Sequence, residues 1–306
     1  MFSTTMIEQK YITKPLYFRA QAEFESFWKM KQAAWTEWYA NPKTRSRALL
    51  QRVLYNGKAL CFPEFFREIR TETGVIAGYL FATPAFWDGK VKSLMPLDYY
   101  DSWHNYKNKY SMLAFGAAII FFQSLKLNRL FRFLLTSFRK KKLRGKNTVV
   151  LTALFVSPDF RGQKIPSRLF QSIKAEVKKL GYLWLISPFR PSQYGRYKKE
   201  TGLLHSRKIF NDYCYKQRED GLPVDRWLRS LIRNRMVMLK PEVNSFSLAK
   251  PLSRFREFQK RYKPGQWYQP APGVWECGET QTWYVDEEKG TATSVEPDLW
   301  GMLPVE

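Results

Sequence analysis

The stretch from Thr148 to Ile186 constrains this chain more than any other. A β-branched run, Thr148 to Val156, ends at Ser157-Pro158-Asp159; an apolar face at Ile165, Leu169, Phe170, Ile173 and Val177 follows at helical spacing; Gly181 stops it, and Tyr182 to Ile186 reads as a second strand. Pro166 opens that helix, which runs to about Leu180. Strand, loop, helix and strand in this order imply a βαβ unit with a right-handed crossover, which excludes a helical bundle. The expected class is α/β or α+β, a mixed sheet built round this unit.

The flanking segments read as additions to one domain spanning 1–306. Residues 15–56 are expected to be helical, since Phe24, Phe27, Trp28, Trp35 and Trp38 recur at helical spacing and neither Pro nor Gly interrupts them up to Ala40. Phe65 to Ile69 and Val75 to Ala82, separated by Thr71-Glu72-Thr73-Gly74, read as a hairpin. An apolar and basic insertion covers about 107–146, the motif core 148–203 and a C-terminal extension 204–306. Within the extension, helices are expected over Asp225 to Arg233 and Leu252 to Tyr262, with strands at Met236 to Leu239, Trp283 to Val285 and Thr291 to Val295.

Charge narrows the partners. The 306 residues carry 51 Lys plus Arg against 27 Asp plus Glu, a net +24, which attracts anions of any kind: nucleic acid, anionic lipid or a phosphate-bearing small molecule. The distribution is uneven. From Glu276 to the end, eight acids face one base, and between Asp101 and Asp159 eleven bases occur with no acid. Three widely spaced cysteines and two distant histidines (His104, His205) support neither a disulfide framework nor a metal site, and leave little room for a Ser-His-Asp arrangement. A reducing cytoplasm suits them, and MFSTTMIEQK lacks the apolar core of a signal peptide.

The chemistry concentrates in VSPDFRGQKIPSRLF, Val156 to Phe170. A strand, a basic glycine-containing loop and a helix N-terminus together make a phosphate cradle, because the first helical N–H groups lack intrahelical partners and the helix dipole adds partial positive charge. Arg161 and Lys164 reinforce it, and Gly162 permits close backbone approach. Neither the Walker pattern nor G-x-G-x-x-G is present.

These residues resemble the acyl-CoA loop of the GNAT acyltransferase superfamily, V-x-P-x-[YF]-[RQ]-G-x-G-[IVL]-[GAS]-x-x-L. Val156, Pro158, Phe160, Arg161, Gly162, Ile165 and Leu169 stand in matching places, while Lys164 replaces the second glycine and Pro166 the small residue. The resemblance is most secure over Thr148 to Leu203. It implies an acyl-CoA donor held by Phe155, Val156, Arg161, Gly162, Gln163, Lys164, Ile165, Pro166 and Ser167, an oxyanion on backbone N–H groups near Phe155 and Val156, and no metal. It further implies a tyrosine on the next helix that protonates the departing thiolate. Tyr197, in RYKKETGL, is the candidate and Tyr194 the reserve. No carboxylate lies on the Thr148 to Val156 strand, so a general base is sought among Glu219, Asp220, Asp225, Glu296 and Asp298, with a water relay as the alternative.

The strings REDGLPVDRWLR and VEPDLW resemble a bacterial GNAT-like subgroup related to peptide maturases. That resemblance implies a fatty acyl group delivered to a Lys- or ornithine-type amine. Residues 110–125 are too few to span a bilayer, and Leu127 to Phe138 continue as an amphipathic stripe beside Arg139 to Lys142. Three readings stand for 110–142: a helix in an anionic membrane interface, helices on the core, or a lid over a long acyl chain. Three functional classes stand as well: an N-acyltransferase with a CoA or carrier-protein thioester donor, a non-catalytic acyl-CoA or membrane-surface binder, and a basic nucleic-acid-binding protein, the last without any recognisable module.

Overall fold

A computed structural model describes residues 11–15, 62–95 and 143–305, together with Glu25. Of the helix expected over 15–56 only Pro15 and Glu25 are described, and Glu25 is helical; residues 107–142 of the insertion lie outside the described residues. Pro15 is described, and it closes an edge strand rather than opening a helix.

The described strands are β1 (Tyr11–Pro15), β2 (Phe66–Thr71), β3 (Ile76–Ala85), β4 (Thr148–Val156), β5 (Trp184–Phe189), β6 (Val237–Pro251), β7 (Tyr268–Ala271), β8 (Val274–Glu276), β9 (Thr282–Asp286) and β10 (Thr291–Met302). The helices are α1 (Ile165–Lys179), α2 (Tyr194–Thr201), α3 (Arg207–Tyr215), α4 (Arg226–Arg233) and α5 (Leu252–Arg261). The strands form one mixed sheet in the order β1-β2-β3-β4-β5-β10-β9-β8-β7, with β6 on the other edge of β10. Among the described strands only β4 and β5 run parallel. This is the mixed α+β architecture expected, with the βαβ unit β4-α1-β5 at its centre.

The face of α1 read from the sequence is the buried one: Ile165, Leu169, Phe170, Ile173 and Val177 pack against a core that includes Phe66, Ile69, Leu80, Phe155 and Leu185. Each such side chain contributes about 1.5–3 kcal/mol of gross burial free energy, so this face fixes α1 firmly on the sheet. At the other end, Gly195 is required by close packing, because a Cβ there would lie 1.9 Å from the Glu279 carbonyl oxygen. Beside it the Lys198 ammonium is fully buried, donating to Glu276 Oε1 at 2.6 Å and Thr282 Oγ1 at 2.7 Å, which ties α2 to β8 and β9. Among the described residues, no helix is long and apolar enough to cross a membrane.

Candidate active site

The sheet opens at its centre. β4 pairs with β5 over Thr148–Trp184, Val149–Leu185 and Val150–Ile186 only, after which β5 turns to β10 through Ser187, Pro188 and Phe189. Two local causes are visible. Pro188 has no N–H to donate across the gap, and β4 carries a bulge at Thr152, where the pairing with β3 slips between Phe81–Ala153 and Ala82–Leu151. The Ser187 hydroxyl donates to the Leu151 carbonyl at 3.0 Å and bridges the point where the strands separate.

Beyond that point lies a cleft of about 200 Å³. Its walls are Leu151 to Leu154 of β4, Ser187 to Phe189 of β5 and the following Arg190, closed by Phe170, Trp227 and Asp298. Phe170, Phe189 and Trp227 form an aromatic cluster with ring centroids 6.4–6.5 Å apart. The polar lining is Thr152, Ser187, Arg190 and Asp298.

β4 runs directly from this cleft into the basic loop. A 3-10 turn, Pro158–Phe160, leads to Arg161 and then to Gly162, whose φ is 81°. Lys164 also lies in the left-handed region, with φ 56° and ψ 22°, at the N-cap of α1. The lysine therefore keeps the backbone that a glycine would adopt, at a cost of about 1–2 kcal/mol. The first helical backbone bond recorded at this end is Arg168 N–H to Lys164 O, at 3.2 Å. The N–H groups of Ile165 and Ser167 precede that bond and meet no backbone acceptor among the described residues, while Pro166 contributes none. Arg161, Gly162, Gln163 and Lys164 are exposed, and the Ile165 side chain is buried. β1 borders the loop: the Tyr11 hydroxyl donates to Gln163 Oε1, and the Arg168 guanidinium lies 5.2 Å from the Tyr11 ring centre. Phe155 is buried in the core, so only its backbone is open to a role, and Val156 is partly exposed.

Tyr197 and Tyr194 both sit on α2, and neither lines the cleft. The Tyr197 ring packs against that of Tyr213, centroids 4.9 Å apart and tilted by 36°, with the Lys216 ammonium 5.1 Å from its ring. Tyr194 is fully buried and donates to His205 Nδ1 at 3.1 Å. That tautomer follows from the other nitrogen, Nε2, which donates to the Val243 carbonyl at 3.3 Å. Burial pushes the Tyr194 phenol well above its ordinary value, with Glu276 adding to the effect, and lowers His205 to about 4.

The five carboxylates separate cleanly. Glu219 and Asp220 are exposed. Asp225 is the buried N-cap of α4 and accepts from Trp227 N–H, Leu228 N–H, Gln193 N–H and the Tyr213 hydroxyl at 2.8–3.0 Å, so its lone pairs are committed to structure. Glu296 is buried in an ion pair with Arg190. Asp298 alone of the five lines the cleft. The other polar cleft groups, Thr152, Ser187 and Arg190, were not singled out from sequence; the Ser-Pro pair after a strand was their available signal. Among the described residues no cluster of His, Cys, Asp or Glu is arranged to hold a metal ion.

No family model matches this chain, and no curated protein does. Solved structures do. The loading GNATL domain of CurA from Lyngbya majuscula aligns with a TM-score of 0.50 over 97% of this chain and 98% of that one, at 11% identity. The GphF GNAT-like decarboxylase in complex with isobutyryl-CoA aligns at 0.47, with 12% identity and coverage of 97% and 100%. An agmatine N-acetyltransferase mutant aligns at 0.32 over 71% of this chain and 92% of that one, at 17% identity. Scores below 0.5 add nothing to the assignment. The first alignment shows a GNAT-like fold, as the loop motif led one to expect.

Proposed function

We propose that this chain is a GNAT-type acyltransferase that takes an acyl group from a CoA or carrier-protein thioester and passes it to a primary amine. The observation that carries this reading is the cleft where β4 leaves β5, continuous along β4 with a cationic helix N-terminus that has N–H groups to spare. Donor phosphates are held by Arg161, Lys164 and the N–H groups of Ile165 and Ser167, with Gly162, Gln163 and Pro166 shaping the loop. The thioester lies along the open edge of β4, and the oxyanion falls on N–H groups near Phe155 and Val156. The amine nitrogen bonds to the thioester carbon, the C–S bond breaks and the thiolate takes a proton. Tyr197 is the proton donor in this scheme; Tyr194 is the weaker choice because its proton is engaged by His205.

The acyl group in this proposal is a fatty one and the acceptor a Lys- or ornithine-type side chain of a peptide. The basis is the apolar run 110–125: burying a chain gains about 0.8 kcal/mol per methylene, and an acetyl donor has no use for such a surface. The neighbouring bases suit an anionic membrane surface, which makes the protein membrane-peripheral in this reading.

The test is calorimetric titration with acetyl-, octanoyl- and dodecanoyl-CoA. Wild type binds all three, more tightly as the chain lengthens, and Arg161→Glu weakens each by at least tenfold, about 1.4 kcal/mol. Equal CoA affinity in wild type and variant removes the loop from donor binding. Equal affinity for the three acyl lengths removes the fatty donor.

A further inference from the structure

The far wall of the cleft carries an arrangement that the donor does not use. Asp298 is 4% exposed and lines the cleft. Among the described residues it forms no ion pair, and its hydrogen-bonding neighbour is the Ser245 hydroxyl. The groups around it can be named from each neighbouring element. Just after β5 comes Arg190, already paired with Glu296 of β10; from α3 the Cys214 thiol; from β6 the fully buried Ser245 hydroxyl and, opposite in register, Glu242, which is paired with Lys240 at 3.3 Å. One guanidinium thus faces two buried carboxyl groups, so the wall carries no excess positive charge to meet an anion.

The backbone is irregular at the same place. Pro297 lies between Glu296, paired with Phe246, and Asp298, paired with Glu242, so that residues 243–245 of β6 stand against a single residue of β10. A bulge of this kind re-aims a side chain at the expense of ladder bonds. A buried carboxyl on the wall of a cleft, beside a guanidinium already paired with Glu296, is costly to keep charged. The polarity of the chain is laid out across the cleft: the basic loop follows β4 on one side, and the acidic C-terminal segment supplies β10 on the other.

Building on the acyl-transfer reading, we propose that Asp298 is the group that takes the proton from the acceptor, and that the acceptor enters as a cationic ammonium. The ammonium proton passes to the Asp298 carboxylate and frees the nitrogen lone pair. The nitrogen then forms the C–N bond at the thioester carbonyl. Collapse of the tetrahedral intermediate breaks the C–S bond, Tyr197 protonates the departing sulfur, and the second nitrogen proton restores the Tyr197 hydroxyl. The products are an amide and a thiol, and Asp298 returns its proton to water as the cleft empties. Burial raises the Asp298 carboxyl above the ordinary carboxylate range, with Arg190 and Ser245 pulling the other way, so it is a better proton acceptor than an exposed aspartate.

The experiment follows free thiol release from octanoyl-CoA with 1,5-diaminopentane between pH 5 and 9, in wild type and Asp298→Asn, alongside octanoyl-CoA affinity. Wild type accepts the ammonium form, so kcat/KM for the amine rises as Asp298 ionises and then stays level. The variant must wait for free amine, so its kcat/KM climbs about tenfold per pH unit up to pH 9, lies roughly 10²-fold below wild type at pH 7, and leaves octanoyl-CoA affinity unchanged. A level profile within threefold of wild type in Asp298→Asn overturns the inference. Should that variant fail to fold, Ser245→Ala decides: removing the hydroxyl shifts the acidic limb to higher pH, and an unmoved limb overturns the role equally. Wild type that binds octanoyl-CoA but releases no thiol with the amine at any pH overturns the acyl-transfer reading itself, and this inference with it.

Discussion

Replacing Asp225 with alanine separates a structural carboxylate from a catalytic one. The side chain is fully buried and receives four close hydrogen bonds: Trp227 N–H at 2.9 Å, Leu228 N–H at 3.0 Å, Gln193 N–H at 2.8 Å and the Tyr213 hydroxyl at 2.9 Å. Those donors belong to the start of α4, the entry to α2 and the end of α3, so one carboxylate gathers three elements round the cleft. Losing the N-cap costs about 1 kcal/mol. The remaining buried donors lose a charged acceptor at about 1–3 kcal/mol each, partly recovered where water enters. The expected loss is therefore about 4 kcal/mol for alanine and about 2 for asparagine, which retains one acceptor oxygen. Urea unfolding followed by far-UV circular dichroism reads this directly, as a fall in the midpoint of more than 1 M at a slope of about 3 kcal/mol per M. Trp227 lines the cleft, so octanoyl-CoA affinity falls with stability. A variant that keeps its stability within 1 kcal/mol but loses turnover would refute the structural role and restore Asp225 as a general base.

Lys164→Gly removes the left-handed strain of a non-glycine residue while adding backbone entropy, so unfolding free energy moves by less than about 1 kcal/mol; CoA affinity, measured by calorimetry, falls about three- to tenfold from the lost charge, and unchanged affinity would leave the phosphates to the backbone and Arg161. His205 is held at about 4 in the folded chain, below its ordinary 6.5, so the unfolded chain binds the proton first and stability drops as pH falls from about 6.5 to 4. The loss is on the order of 2–3 kcal/mol, and His205→Gln flattens the urea midpoint over that range. Gly195→Ala drives a methyl into the Glu279 carbonyl, 1.9 Å from the new Cβ, and lowers the unfolding free energy by about 3 kcal/mol, seen as a fall in Tm; an unchanged Tm would mean that α2 does not pack as described.

The motif core was legible because its signals are local. β-branched residues, Pro158, Gly162 and the spacing of Ile165, Leu169 and Ile173 each act within a few positions, and α1 begins one residue from where Pro166 put it. Helix α4 follows the same logic from Asp225 as its N-cap. β6 and β10, by contrast, run to Pro251 and Met302, far beyond their apolar cores, because each is stabilised by the other across the sheet. That cross-strand energy leaves no periodic mark on either strand alone. α3 was missed for a similar reason: Phe210, Tyr213 and Cys214 are buried against a core assembled from distant segments. The loop half of the site was readable, since glycine, basic residues and a helix start are adjacent in the chain. The cleft half was not, because Arg190, Trp227 and Asp298 meet only after β5, α4 and β10 are in place. Pro188 and Pro297 were the available hints, each marking a strand position that cannot donate a ladder bond.

Release of free CoA thiol from octanoyl-CoA, with and without a primary amine, tests the central claim most directly. The account predicts amine-dependent release with one amide formed per thiol, detected by mass spectrometry, and loss of that release in Arg161→Glu at donor concentrations that saturate neither protein. Thiol release that does not depend on the amine, or tight octanoyl-CoA binding with no release at all, would contradict it.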